Sequence, residues 1–147
     1  MSGTLTLRII TPDRVVFDSS VSNIAVEQVT ATAVDGELSI LPEHEPLVTS
    51  LAIDILRYKV NKEDEFAAVM GGILEVKNNE VTVLSDAAEL DTDIDVAKAH
   101  QDKERAEAEK LQKTDKIDVY VAELAVSRAI ARIKASEFRQ RRRGRNI

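Results

Sequence analysis

Two rhythms of apolar and polar residues divide this chain. Up to about Ser85 the apolar positions fall in short runs, several of them alternating, as in strands with one buried face. Leu5, Leu7 and Ile9 alternate with Thr4, Thr6 and Arg8, and Thr11-Pro12-Asp13 ends that run. Val15-Val16-Phe17 is a short strand, and Val21 to Val29 reads as another pair. Asp35-Gly36 is a tight-turn signal, because Gly takes a positive φ at no steric cost. Behind it Leu38 and Ile40 alternate with polar neighbours. Ile53 to Val60, Phe66 to Met70, Ile73 to Val76 and Val81 to Leu84 follow, separated by Asn61–Asp64, Gly71-Gly72 and Asn78-Asn79. Short strands at this spacing predict an antiparallel β-sandwich of about nine or ten strands.

After Glu89 the strong helix formers Ala, Glu, Lys, Gln and Arg take over. Asp91-Thr92-Asp93 offers N-cap residues for a first helix over about 93–111. Thr114 or Asp115 can cap a second helix over about 116–139. In that second helix Ile117, Leu124, Ala131 and Phe138 recur every seventh residue. A four-residue break between the two predicts an antiparallel hairpin. The fold class is therefore α+β, with residues 1–88 as the sandwich and 89–147 as a two-helix hairpin with a basic tail. The apolar face of the first helix is thin, with Ile94, Ala97, Ala108 and Leu111 interrupted by Gln101 and Arg105. Alanines bury little area at roughly 25 cal/mol per Å², so a hairpin able to leave its docking site is expected.

Composition narrows the function classes. Apolar residues make up 44% of the 147, enough for a core, but aromatics are only 3%, so the packing is aliphatic. The absence of cysteine excludes disulfides, thiolate metal sites and a cysteine nucleophile. No apolar run approaches the ~20 residues of a membrane span. Met1-Ser2-Gly3-Thr4 leads straight into strand alternation without a secretory pattern, so a soluble intracellular protein is expected. The net charge of −6 is unevenly spread: residues 1–88 carry 6 Lys/Arg against 14 Asp/Glu, and residues 89–147 carry 14 against 12. The two parts present different faces to different partners.

Catalytic chemistry is poorly represented. Gly71-Gly72 lacks P-loop spacing and reads as a bulge or close backbone approach. His44 and His100 have no serine or carboxylate pair in a catalytic arrangement. Glu43-His44-Glu45 alternates in an extended loop, which splays its charges and argues against a metal, and His100 reads as part of a solvated helix face. Arg139-Gln140-Arg141-Arg142-Arg143-Gly144-Arg145 has clustered cations but no aromatic platform for bases. It reads as a solvated or protein-contacting tail, not a nucleic-acid site. Pro42 and Pro46 bracket a polar loop held on a sheet, and Glu37 and His44 are its partner-contacting candidates.

The order of these segments resembles the ε subunit family of the F-type ATP synthase over nearly the whole chain. The resemblance is carried by Leu5 to Pro12, Val15-Val16-Phe17-Asp18, the run from Asp35 to Leu51, Gly71-Gly72-Ile73-Leu74-Glu75-Val76 and Asn79 to Leu84. Asp93 to Val96, Lys103 to Glu107 and the stretch from Ala122 to Ile133 extend it. Ser39, Glu43 and Glu45 replace small residues common in the family, acidifying the loop that there faces the membrane ring. The resemblance implies a noncatalytic rotor subunit on the cytoplasmic face of the membrane, or the equivalent thylakoid face. Its expected partners are the γ subunit, the membrane c-ring and, when the hairpin extends, the catalytic β subunit, whose ATP hydrolysis it would inhibit.

No cofactor is required on this reading, but some relatives bind regulatory ATP between the helices. Glu89, Ile94, Asp95 and Ala99 match that pattern, Lys98 replaces its arginine, and Arg128 and Arg132 sit four apart on one helical face. The simpler reading pairs these arginines with acids of the first helix or of a neighbouring subunit. The competing class is a stand-alone β-domain binding or chaperone module with a helical clamp.

Overall fold

A hairpin of β1 (Thr6–Ile10) and β2 (Val15–Asp18) opens the fold. The computed structural model describes residues 3–145 without the side chains of Arg143 and Arg145. Met1 and Ser2 of the expected leaderless start, and those two tail arginines, thus lie outside the described residues. Six further strands follow: β3 (Gln28–Ala33), β4 (Gly36–Ile40), β5 (Leu47–Val60), β6 (Glu63–Lys77), β7 (Glu80–Leu84) and β8 (Ala88–Leu90). They form one continuous sheet in the order β2-β1-β7-β6-β5-β3-β4, with β8 added beside β6.

Eight strands among the described residues, where nine or ten are expected, trace to β5 and β6. These run 14 and 15 residues, more than twice the typical ~5–6. Phe66–Met70 and Ile73–Val76 are one strand, because Gly71-Gly72 bends the ladder without ending it. Both glycines have positive φ, and a Cβ on Gly72 would lie 2.0 Å from the Leu84 carbonyl oxygen. Beyond the bend β6 pairs with β7, and before it with β8. The long strands thereby belong to both layers. Val21 to Val29 likewise yields one strand, with Leu5 and Val26 joined by an isolated bridge. The pairing is antiparallel except between β1 and β7, which run parallel.

The turns follow their chemistry. Asn61-Lys62 and Asn78-Asn79 all have positive φ, as a two-residue type I′ hairpin demands. Between the layers Leu5, Leu7, Ile9, Val29, Ile40, Leu56, Leu74, Val81 and Val83 are almost wholly buried. Residues 66–70 of β6 are buried on both faces. Ala67 and Val69 point into the sandwich, while Phe66, Ala68 and Met70 pack outward beneath Ala131 and Ala135, with Phe138 alongside. That is why this run is apolar without alternation.

The helices are α1 (Val96–Gln112) and α2 (Lys116–Arg145). Asp95, not Asp91-Thr92-Asp93, caps α1, its carboxylate accepting the Lys98 amide at 3.0 Å. Residues Asp91–Asp93 instead form a short 3-10 turn after β8. Asp115 caps α2 through the Ile117 amide at 2.8 Å. The helix outruns its expected end near 139, since Arg and Gln sustain helix and Arg142 is anchored to the sheet. Small residues close the hairpin: Ala99, Ala106, Ala122 and Ala129 are all buried. Ile117, expected on the apolar stripe, is 73% exposed near the tip with Leu111, Tyr120 and Val121.

Interhelical cleft, hairpin seam and partner loop

Between the helices lies a cleft of about 310 Å³, lined by Asp102, Arg105, Ala106, Glu109, Ala125, Arg128 and Arg132. Its width follows from the alanines, which hold the helix backbones close but fill little space at this level. Arg128 and Arg132 thus meet in one cavity, as their i,i+4 spacing predicts. Arg132 donates from Nε to the Glu89 carboxylate on β8 at 2.5 Å. That acid belongs to the sandwich, whereas the simpler pairing expects acids of α1 or of a neighbouring subunit. Asp95 and Lys98 sit at the first turn of α1, outside the cleft lining. Asp95 is engaged through Oδ1 with the helix backbone, while Lys98 lies one turn from Asp102 on the same helical stripe. In the sequence Arg105 interrupts the thin apolar face of α1. It also contributes a third guanidinium to the lining and pairs with Asp102 at 2.5 Å.

The seam between α2 and the sandwich has a different make-up. Its apolar part is small: Ala131 and Ala135 on Ala68 and Met70, and Phe138 stacked on Phe66 with ring centroids 5.7 Å apart. Around it stands a row of ion pairs. Lys134 reaches Asp54 at 2.8 Å, Arg139 approaches buried Asp91 at 4.0 Å, and Arg142 contacts Glu63 at 2.6 Å and Glu65 at 3.5 Å. Partial burial works against ionisation of Asp54. The Lys134 ammonium, with donors from the Ile55 amide and Thr32, outweighs it, and the carboxyl sits below its ordinary range. Glu65 goes the other way, because burial with Asp91 and Glu63 nearby outweighs Arg142 and raises its carboxyl. The described part of the basic tail is therefore protein-contacting within its own chain.

The partner candidates separate. Glu37 projects from β4 beside Arg57, with 3.7 Å between their charged groups. His44 lies on the loop 41–46, with Nδ1 2.6 Å from the Glu45 carbonyl oxygen, a contact that puts the proton on Nδ1. The loop is held by Asn79, which accepts from the Glu43 amide at 2.7 Å and donates to the Glu43 carboxylate at 2.9 Å. Glu43 adopts a positive φ there, which this clamp sustains. No hydrogen bond or ion pair joins Glu37 to His44 among the described residues.

No described helix is long and apolar enough to cross a membrane. Solved chains with this fold include one from the Euglena gracilis mitochondrial ATP synthase, described as OSCP/F1/c-ring. It has a TM-score of 0.75 at 22% identity, covering 91% of this chain and 81% of that one. A chain of the Tetrahymena thermophila mitochondrial ATP synthase, described as central stalk/c-ring, has a TM-score of 0.59 at 18% identity, covering 92% and 98%. At these identities the likeness is one of fold.

Sequence relatives are nearer. Proteins named ATP synthase epsilon chain from Desulforamulus reducens and Halalkalibacterium halodurans are 45% and 42% identical. The first match spans 93% of this chain and 100% of the relative, the second 88% and 95%. The family model for the ATP synthase delta/epsilon chain β-sandwich domain matches residues 4–91. That for the delta/epsilon long α-helix domain matches residues 92–137. With a bent sandwich, a docked helical hairpin and both family domains in order, the chain belongs to the ATP synthase delta/epsilon chain family.

Proposed function

We propose that the chain serves as a noncatalytic epsilon subunit of an F-type ATP synthase, placed in the rotor between the γ subunit and the c-ring. The sandwich is the rigid coupling body, and the loop carrying His44 with the nearby strand carrying Glu37 supplies polar contacts. On this reading the protein is peripheral on the cytoplasmic face of the membrane. The hairpin is a brake: docked, it leaves the catalytic β subunits free; extended along γ, it opposes rotation in the hydrolysis direction.

The observation that carries the regulatory reading is the composition of the seam. Alanines and one aromatic stack, ringed by ion pairs, give an interface with modest apolar burial, so docked and released states lie close in free energy. Removing residues 92–147 from the assembled complex is expected to raise ATP hydrolysis while proton-driven synthesis persists. Unchanged hydrolysis would overturn the brake.

We infer that regulatory ATP would bind in the interhelical cleft, where Arg128 and Arg132 are spaced for adjacent phosphoryl groups. Asp95 and Lys98, outside the cleft lining, would be met only by a ligand that extends past it: Asp95 keeps acceptor capacity beyond its cap bond, and Lys98 supplies charge without a guanidinium fork. Arg132 enters already paired with Glu89, so a phosphate must share or displace that carboxylate. Calorimetry is expected to show ATP binding that Arg128→Ala abolishes. No heat at about millimolar ATP, an affinity near 4 kcal/mol, would remove the ligand.

A further inference from the structure

A second cleft, of about 290 Å³, opens where the end of α2 meets the β5–β6 turn. Its lining includes Arg57, Lys62, Phe66, Phe138, Arg141 and Arg142. The stacked rings of Phe66 and Phe138 are among its walls, and the Arg141 guanidinium lies 5.2 Å from the Phe138 centroid. Two acids, Glu63 and Asp64, also line it, but each has a cation at hand. Arg142 holds Glu63 and also contacts Glu65 just outside the lining, and Lys59 stands opposite Asp64 in the β5–β6 ladder.

The lining itself carries four cations against these two acids, on an otherwise acidic protein. Lys62 and Arg141 have no ion-pair partner among the described residues, and Arg57 has only Glu37 at 3.7 Å. The Nε of Arg142 is buried and makes no hydrogen bond. Arg57 is the cross-strand partner of both Thr30 and Phe66, which fixes its stem between the aromatic stack and a hydroxyl. Two further openings also have Arg57 in their walls, one with Gln28, Thr30 and Lys59, the other with Thr30 and Thr32. The cationic donors of the cleft itself thus come from β5, the β5–β6 turn and α2.

We propose that this cleft binds a phosphate-bearing ligand, gripped by Arg57 and Lys62 of the sandwich and by Arg141 and Arg142 of the hairpin. Several convergent cationic donors suit the three or four oxygens of a phosphoryl group better than the two of a carboxylate. The volume exceeds what one carboxylate fills and approaches the lower end of small-molecule pockets, roughly 300 Å³. Because its walls come from both units, the ligand binds only while the hairpin is docked, and by mass action it stabilises that state. The site is separate from the interhelical cleft and does not depend on ATP binding there.

The test uses the isolated full-length chain at low salt, with pyrophosphate as the probe and amide NMR as the readout. Saturable shifts are expected at the β5–β6 turn and the last turns of α2, with slower hydrogen exchange over residues 131–142. Arg57→Gln and the exposed Arg141→Gln are each expected to weaken binding about 10-fold by removing one charge-assisted contact. Arg128→Gln, in the other cleft, is expected to leave it unchanged. Pelleting with phosphatidylglycerol vesicles that pyrophosphate reverses assigns the phosphate to a lipid headgroup; pyrophosphate binding without pelleting assigns a soluble ligand. Shifts confined to Arg128 and Arg132, or binding indifferent to both Arg57→Gln and Arg141→Gln, would overturn the site.

Discussion

The sandwich interior and the seam beneath α2 share one strand, β6, and bury opposite kinds of residue on its two faces. Inward, Val69 and Ala67 join Leu5, Leu7, Ile9, Leu56, Leu74 and Val83 in a continuous aliphatic core. Outward, Ala68 and Met70 meet Ala131 and Ala135, with charge pairs around them. A buried Leu contributes about 1.5–3 kcal/mol and an alanine methyl about 0.8. Exposed or half-exposed ion pairs add roughly 0–1 kcal/mol each and weaken with salt. One face thus holds the sandwich together unconditionally. The other holds a hairpin largely through ion pairs, which salt screens.

The largest expected effect lies inside the sandwich. Leu74→Ala removes a wholly buried side chain and should cost about 2–5 kcal/mol, lowering the thermal midpoint of sandwich and hairpin together. Gly72→Ala comes next, because its Cβ would collide with the Leu84 backbone. A loss of about 1–3 kcal/mol in chemical denaturation is expected.

Why that glycine matters was only partly visible in the sequence. Gly71-Gly72 read correctly as a close backbone approach, yet also as a boundary, since alternation is lost across it. A bend inside a long strand and a break between two short ones leave the same mark. Turn chemistry was more legible, because Asn61-Lys62 and Asn78-Asn79 meet a local conformational demand. Of the candidate site, Arg128 and Arg132 came from the family resemblance, and helical spacing added that they share one face. Their environment was not legible: Arg132 meets Glu89 43 residues away, and Arg142 meets Glu63 79 residues away. Pairings at such distance depend on the fold and leave no periodicity to read. The reach of α2 to Arg145 was missed for the same reason, since its last turns are anchored by acids of the sheet.

Changes in the seam should separate the two units and leave the sandwich intact. Phe138→Ala deletes the stack on Phe66 and is expected to weaken docking by about 1–2 kcal/mol. The readout is faster exchange in α2 with an unchanged sandwich melting midpoint. Lys134→Gln should cost under about 1 kcal/mol, since the lysine is partly exposed, and should reduce the salt dependence of docking.

The same pair gives the smallest effect a pH dependence of defined sign. The Asp54 carboxyl is lowered in the fold, so its contribution is present above the ordinary carboxylate range and fades as pH falls through the lowered folded value. Glu65 is raised, so the protein gives up stability as pH climbs from the ordinary carboxylate range through the raised value. Titrating hairpin exchange in the wild type and in Glu65→Gln should remove the second dependence and keep the first.

Native-state hydrogen exchange on the full-length chain at low and high salt tests the two-region account most directly. The expected result is that amides of α2 over residues 131–142 open at lower free energy than those of β1 and β7, and that salt speeds α2 alone. Equal opening free energies in helix and strands, unmoved by salt, would mean that sandwich and hairpin unfold as one unit and would contradict the account.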